Sequence, residues 1–192
     1  MFKKISFDLD EGEKIIIQGP SGVGKTTLLR CISGLSFAYK GMIKFNAQKL
    51  SQNNRDNKKQ IMSYVPQKTQ IWQGMSRELV EYVFSLKNNK SLLNWKDKFF
   101  AYQTKFRLKE SVLSSPYHQL SGGEQQRLLI IIGLLLQRPL ILFDEPTSAM
   151  DPDLDDIVRE TLLSMKKVAM LIVAHNQVWA QHPGVKVVRL EI

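Results

Sequence analysis

The stretch that most constrains the fold is "GPSGVGKTT", residues 19–27, which directly follows the apolar run "KIIIQ". It fits the pattern G-x-x-x-x-G-K-[ST], in which a strand precedes the glycines and a helix follows the lysine. The glycines let successive backbone N–H groups turn toward one anion, and the start of the helix adds positive partial charge. The stretch therefore predicts a phosphate cradle between a buried strand and a helix.

The residues of this loop have different expected roles. The Lys25 ammonium is placed for the β- and γ-phosphates of a nucleotide, and the Thr26 hydroxyl is placed for Mg²⁺. The remaining residues are expected to line the phosphates: Gly19, Pro20, Ser21, Gly22, Val23, Gly24 and Thr27.

Buried apolar runs alternate with helical stretches along the chain, which predicts a mostly parallel sheet covered on both faces. The predicted class is α/β, a P-loop NTPase core with a small N-terminal antiparallel β part and an inserted α-helical subdomain. The antiparallel part is predicted at 5–18, where Ile5, Phe7 and Leu9 alternate before a turn. We expect one domain over 1–192, with its core at about 1–67 and 123–192 and the helical subdomain at about 68–122.

Composition narrows the class of protein further. The longest apolar run, "LLIIIGLLL" at 128–136, is about half of the roughly 18 residues that a membrane span needs. The start has no apolar run typical of a signal peptide. The single cysteine, Cys31, excludes an internal disulfide and is expected to be a core thiol. These features predict a soluble cytosolic protein.

The formal charge of +9 raises the possibility of a nucleic-acid partner. Its basic residues are scattered, however, and no aromatic residues are interleaved with them for stacking on bases. We therefore expect no nucleic-acid partner.

Two acidic residues end the apolar run "LILFDE" at 140–145. A carboxylate at the end of a buried strand can hold a water molecule bound to Mg²⁺, and a second can polarise an attacking water. Asp144 and Glu145 are the candidates for these two tasks.

A second motif, "LSGGEQQR" at 120–127, places two glycines at the start of a long helix. Ser121 and Glu124 fit a capping box, and the capped end of a helix is also a place where phosphate binds. One P-loop accounts for one nucleotide, so this motif suggests a nucleotide held by another subunit.

In this order the motifs resemble those of the ABC ATPase family, the ATP-binding subunits of ABC transporters, over nearly the whole chain. "GPSGVGKTT" is similar to its Walker A motif, "YVPQ" to its Q-loop and "LSGGEQQR" to its signature motif. "LILFDE" is similar to Walker B, "SAMD" at 148–151 to the D-loop, and "IVAHN" to the segment with the switch histidine.

The resemblance implies that ATP is sandwiched between the Walker A loop of one chain and Ser121, Gly122 and Gly123 of its twofold mate. It implies Glu145 as the general base and His175 as a contact of the γ-phosphate. The implied catalytic set is completed by Lys25 and Gln67.

The remaining implied roles concern the metal and the dimer. Gln67 would link Mg²⁺, the attacking water and the helical subdomain, and the residues implied around Mg²⁺ are Thr26, Gln67 and Asp144. Asp151 would meet the partner subunit across the interface.

The sequence departs from the family pattern at three places. Glu124 stands where many members have Gln, and Met150 stands where Leu is usual, both changes of little expected consequence. The family also stacks adenine on an aromatic residue some two dozen positions before the first P-loop glycine. Only 18 residues precede Gly19 here, and Phe2, the candidate for the adenine platform, is too close to fit that spacing.

Three functions remain open at this point. The first is the ATP-driven subunit of a transporter, which works as a homodimer on a separate membrane permease at the inner face of the cell membrane. The second is a soluble single-cassette ABC ATPase of a cofactor-assembly system, and the third is a module that binds nucleotide without hydrolysis. The motif residues Lys25, Asp144 and Glu145 argue against the third.

The resemblance also implies a surface for the permease. In the family, the stretch after the Q-loop lines the groove for the permease, and here it carries Ile71, Trp72 and Met75. Packing of Trp72 in the core of the subdomain is an equally good interpretation. The compact form resembles the subunits of small bacterial exporters, while the transported substrate depends on the permease.

Overall fold

The computed structural model describes residues 4–54, 60–92 and 94–191. They form two compact units. The first contains the described residues of 1–64 together with 138–145 and 166–192, and the second contains the described residues of 65–137 together with 146–165. The core and subdomain bounds expected from the sequence stay a prediction.

A five-stranded sheet organises the first unit. Its strands are β1 (Lys14–Gln18), β4 (Met62–Val65), β5 (Leu140–Asp144), β6 (Ala169–Val173) and β7 (Val185–Arg189), in the spatial order β4-β5-β6-β1-β7. Strand β1 pairs in parallel with both β6 and β7, and β5 pairs in parallel with β6. The predicted α/β class with a mostly parallel sheet is confirmed.

The central strands are buried on both faces, as continuous apolar runs predict. In β1, Ile15, Ile16 and Ile17 are buried, and every residue of β6 is buried. The helix α1 (Lys25–Ile32) packs Leu29 into the same core, and Cys31 on this helix is buried as its spacing predicts.

The hairpin predicted at 5–18 is wrong. Residues 4–10 form no strand, although Ile5, Phe7 and Leu9 are partly buried against the core of the first unit. The physical reason is that both edges of β1 are occupied, one by β6 and the other by β7, so no edge remains for an antiparallel partner.

The antiparallel part lies further along the chain. Strands β2 (Lys44–Phe45) and β3 (Gln48–Lys49) form a short antiparallel pair. The two residues between them, Asn46 and Ala47, both have positive φ, at 48° and 65°. Two such residues produce the tight turn that matches the twist of a hairpin.

Helices dominate the second unit. They are α2 (Ser76–Ser85), α3 (Trp95–Lys105), α4 (Gly122–Leu135) and α5 (Pro152–Leu163), and short 3-10 helices cover Glu110–Ser114 and Tyr117–Gln119. In the first unit, a 3-10 helix covers Gln52–Asn54, and α6 (Gln177–Gln181) precedes β7. Among the helices of the described residues, none combines the length and the apolarity that crossing a membrane requires.

A buried amide fixes the start of α4 within the second unit. Gln125 is 5% exposed, and its Nε2 donates to the carbonyl oxygens of Tyr117 at 3.0 Å and Leu120 at 3.3 Å. Its Oε1 accepts a hydrogen bond from the Thr69 hydroxyl at 2.6 Å. The chain on both sides of the "LSGG" turn is thereby joined to the segment at Thr69.

We expect Gln125→Leu to destabilise the fold by about 1–3 kcal/mol, because it leaves buried carbonyl groups without their donor. The matched control is Gln126→Leu. Gln126 is the next residue of the same helix and 2% exposed, but its Nε2 has no hydrogen-bond partner among the described residues. Urea unfolding followed by fluorescence measures both variants, and equal losses would contradict this role of Gln125.

Candidate functional site

The loop between β1 and α1 has the backbone of a phosphate cradle. Gly22 and Gly24 have φ values of 77° and 113°, a region that residues with a Cβ avoid. The N-cap of α1 is Gly24, which has no side chain with which to cap that end of the helix. The first N–H groups of the helix can therefore donate hydrogen bonds to an anion.

Lys25 is held inside this loop. Its side chain is buried, 6% exposed, and Nζ donates to the carbonyl oxygens of Gly19 and Pro20, each at 2.9 Å. These two carbonyl groups are neutral, so they fix the position of the ammonium without neutralising its charge. The loop therefore presents a fixed cation together with N–H donors.

Asp144 ends β5 as a fully buried carboxylate. Thr26 donates its hydroxyl to Oδ1 at 3.2 Å, and Tyr64 donates its hydroxyl to Oδ2 at 3.2 Å. Burial raises the pKa of Asp144, the two hydrogen bonds oppose that rise, and the neighbouring Glu145 adds to it while Lys25 lowers it. Each oxygen of this carboxylate thus has its own hydroxyl donor.

The pair formed by Thr26 and Asp144 fits Mg²⁺. Both supply oxygen atoms, and the contact at 3.2 Å places them side by side. Within the described residues, no group of three or more His, Cys, Asp or Glu could hold a metal ion alone. Mg²⁺ is usually held by one or two carboxylates and the phosphates of a substrate, so it does not need such a group.

Glu145 and His175 form the next pair. His175 Nε2 lies 2.9 Å from Glu145 Oε1, and the side chains of Glu145 and His175 are 15% and 50% exposed. Glu145 has φ 52°, and its backbone N–H donates to the carbonyl of Val173 at 2.9 Å. Such a backbone costs about 1–3 kcal/mol and occurs at functional sites as well as in turns. The carboxylate is therefore aimed by an unusual backbone turn.

The start of α4 in the second unit is capped as its sequence predicts. The Ser121 hydroxyl accepts from the N–H of Glu124 at 3.2 Å, and Glu124 Oε2 accepts from the N–H of Ser121 at 2.9 Å. This backbone hydrogen bond is the main cause that lowers the pKa of Glu124, and Lys109, 3.5 Å away, contributes. Glu124 in place of the usual Gln thus serves as a capping anion.

The two glycines of this motif have different surroundings. A Cβ on Gly123 would lie 2.7 Å from the carbonyl oxygen of Ala149, so the absence of a side chain lets the "SAMD" turn approach the helix. A Cβ on Gly122 would lie 3.9 Å from the Ala149 Cβ, an ordinary contact, and Gly122 is exposed. Gly123 is needed for packing within the second unit, while Gly122 leaves a surface open.

The structure divides the predicted site residues between the two units. The P-loop, Asp144, Glu145 and His175 lie in the first unit, and Gln67, the signature motif and Asp151 lie in the second. Gln67 is exposed in the segment after β4. Asp151 is exposed and caps α5, with its Oδ1 accepting from the N–H of Leu154 at 3.0 Å. Phe2 lies outside the described residues.

Tyr64 is the residue of this site that the sequence analysis missed. It lies on β4 within "YVPQ", a motif in which the family resemblance assigns a role only to Gln67. The available signal was a tyrosine in an otherwise buried strand, because a buried phenol usually needs a hydrogen-bond partner.

Comparison with known proteins identifies the family. A family model described as "ABC transporter" matches residues 2–148. The chain is 33% identical over 205 residues to the L-cystine import ATP-binding protein TcyC of Bacillus subtilis, a match that covers 100% of this chain and 81% of that protein. It is 32% identical over 200 residues to the probable ABC transporter ATP-binding protein PEB1C of Campylobacter jejuni, with the same coverage.

Solved structures agree with this match. The dimeric structure of MJ0796, described as a bacterial ABC transporter cassette, has a TM-score of 0.82 at 25% identity and covers 98% of this chain and 85% of that chain. A second structure of MJ0796 represents a dimeric post-hydrolysis state bound to ADP and Pi, again with a TM-score of 0.82 at 25% identity, and covers 99% of this chain and 86% of that chain.

The chain belongs to the ABC transporter family. It is an ATPase with the α/β fold of that family, and the resemblance drawn from its motifs is confirmed. The names of the relatives include import systems, such as that of TcyC. The expected similarity to small exporters therefore stays a prediction.

We expect Glu145→Gln to lower ATP turnover by about 10²–10⁴-fold, because an amide retains the shape of the side chain but cannot accept a proton. Binding of a fluorescent ATP analogue should be unchanged. Steady-state phosphate release measures the turnover, with Glu81→Gln, an exposed glutamate on α2, as the control. Near-normal turnover in Glu145→Gln would remove Glu145 from the role of general base.

Proposed function

We propose that this ATPase is the motor subunit of an ABC transporter, and that it works as a head-to-tail homodimer on a separate membrane permease. The observation that carries the proposal is the assembly of the P-loop cation Lys25, the buried carboxylate Asp144 and the pair of Glu145 with His175 in one unit. Fixed charges of this kind act by stabilising a transferring phosphoryl group rather than by covalent chemistry.

Each residue has a defined task in this proposal. Lys25 and the N–H groups at the start of α1 hold the phosphates, and Thr26 with Asp144 holds Mg²⁺. When bound there, Mg²⁺ would neutralise charge that develops on the phosphate oxygens. Glu145 would accept a proton from the attacking water. For Gln67, the family resemblance implies a contact with the metal and this water, and that role stays a prediction.

His175 supports the same reaction from the side of the γ-phosphate. Its Nε2 lies 2.9 Å from Glu145 Oε1, and this contact would align the carboxylate. A histidine that contacts both the base and the γ-phosphate would link the position of Glu145 to the presence of a triphosphate.

The second half of the nucleotide site is supplied by another copy of the chain. Ser121, Gly122 and Gly123 would face the γ-phosphate bound to the partner, and Asp151 would lie at the same interface. This proposal is supported by the exposure of Gly122 and by the free space around it, and the dimeric state of MJ0796 agrees with it.

We expect Gly122→Asp to prevent ATP-dependent dimerisation in a Glu145→Gln background, because a carboxylate would meet the partner's phosphate in a desolvated site. ATP binding to each monomer should remain. Light scattering with ATP measures the dimer.

Gly122→Ala is the matched control, since its Cβ would make only an ordinary contact at 3.9 Å within the chain. Dimerisation of the Gly122→Asp variant to the same extent as this control would exclude a shared nucleotide between two copies.

The second unit carries an apolar surface suited to the permease. Ile71 and Tyr82 are 51% and 53% exposed, and Leu86 is also exposed. Trp72 packs against Tyr82, with ring centroids 5.6 Å apart, and is partly buried. The two interpretations of Trp72 are thus compatible, since it packs against the ring of Tyr82, while Ile71 and Tyr82 present exposed apolar area for a partner. A permease docked here would hold the chain at the cytoplasmic face of the membrane.

We expect Ile71→Glu to abolish binding to inverted membrane vesicles from the source cells, because it places a charge on the docking surface. Co-sedimentation measures the binding, and ATP hydrolysis by the isolated variant should be unchanged. The control is Leu35→Glu, which changes a residue of the first unit that is 62% exposed. Failure of the unmodified chain to sediment would instead favour the soluble cofactor-assembly ATPase.

A further inference from the structure

Two hydroxyl groups donate hydrogen bonds to the Asp144 carboxylate, one to each oxygen. Thr26 on α1 contacts Oδ1, and Tyr64 on β4 contacts Oδ2, both at 3.2 Å. Strands β4 and β5 are neighbours in the sheet, and the N–H of Leu140 donates to the carbonyl of Ile61 at 3.1 Å. The pairing of β4 with β5 thus places the Tyr64 hydroxyl next to Asp144.

We propose that Tyr64 is a positioning residue for Asp144, and that its hydroxyl holds Oδ2 so that Oδ1 faces Thr26 and the divalent cation bound with the nucleotide. The proposal rests on the function proposed above, because it assigns to Asp144 a place beside the metal. In this role Tyr64 would act through Asp144, which its hydroxyl contacts, rather than by contacting the nucleotide or the metal.

An aspartate side chain can hold its carboxylate in several orientations. Rotation about its last bond has a broad energy profile, so packing alone does not select one orientation of the carboxylate. A donor on one oxygen selects that orientation. Since Asp144 is fully buried, an oxygen without a donor would also carry a large desolvation cost.

The Tyr64 hydroxyl is a donor to Asp144 at neutral pH. The ordinary pKa of a tyrosine phenol is about 10, so at neutral pH the hydroxyl keeps its proton and donates to the carboxylate at 3.2 Å. Hydrogen bonds from outer groups to a metal-binding carboxylate commonly change metal affinity by about 10–100-fold when they are removed. Loss of the Tyr64 hydroxyl should have an effect of that size.

The test uses Tyr64→Phe in the Glu145→Gln background, where ATP remains intact. The probe is Mn²⁺ in place of Mg²⁺, with free Mn²⁺ counted by electron paramagnetic resonance in the presence of saturating ATP. We expect the affinity for Mn²⁺ to fall about 10–100-fold, while binding of ATP in EDTA stays unchanged. With Glu145 restored, the Mg²⁺ concentration for half-maximal hydrolysis should rise by the same factor, with kcat at saturating Mg²⁺ nearly unchanged.

Two further variants separate positioning from a structural role. Tyr102→Phe removes the hydroxyl of another partly buried tyrosine, in the second unit, and should leave Mn²⁺ affinity unchanged. Incorporation of 4-aminophenylalanine at position 64 restores an N–H donor and should recover most of the affinity.

The outcomes distinguish this inference from the proposed function. Unchanged Mn²⁺ affinity in Tyr64→Phe, or no recovery with 4-aminophenylalanine, would overturn the positioning role even if thermal stability falls. Failure of the parent chain with intact Tyr64 to bind Mn²⁺ together with ATP would overturn the proposed function itself.

Discussion

A carboxylate buried in an apolar sheet needs hydrogen-bond donors for both oxygens, and in this chain Thr26 and Tyr64 provide them for Asp144. This requirement links three parts of the first unit. Strand β5 must end beside the start of α1, and β4 must lie next to β5 with the tyrosine directed at the strand end. The P-loop residue Thr26 therefore contacts a buried carboxylate. The positive charge of Lys25 nearby favours the ionised form of that carboxylate.

In the second unit, neighbouring residues of one motif perform separate tasks. Ser121 and Glu124 satisfy the backbone at the start of α4, and Gly123 permits the close approach of Ala149. Gly122 contributes to neither and remains at the surface. A rigid, internally satisfied helix end with one open position is suited to contact a ligand that the chain does not itself bind, because the contact requires little reorganisation.

Much of this could be predicted from the sequence, because the apolar runs and the glycine motifs are local signals. The sheet, the P-loop and the capping of α4 follow from them. The absence of a strand at residues 4–10 could not be predicted, because the alternation from Ile5 to Leu9 does not reveal that β6 and β7 occupy both edges of β1. The role of Tyr64 depends on strand order, and the positive φ of Glu145 depends on its hydrogen bond to Val173, so both require the tertiary structure.

The backbone of Glu145 has a consequence for how this protein can evolve. A residue with a Cβ at φ 52° makes the fold less stable than a glycine would at the same position. Selection for heat resistance alone would thus favour loss of this side chain, whereas selection for turnover would retain it. With Glu145 in the proposed role of general base, stability and activity compete at this position.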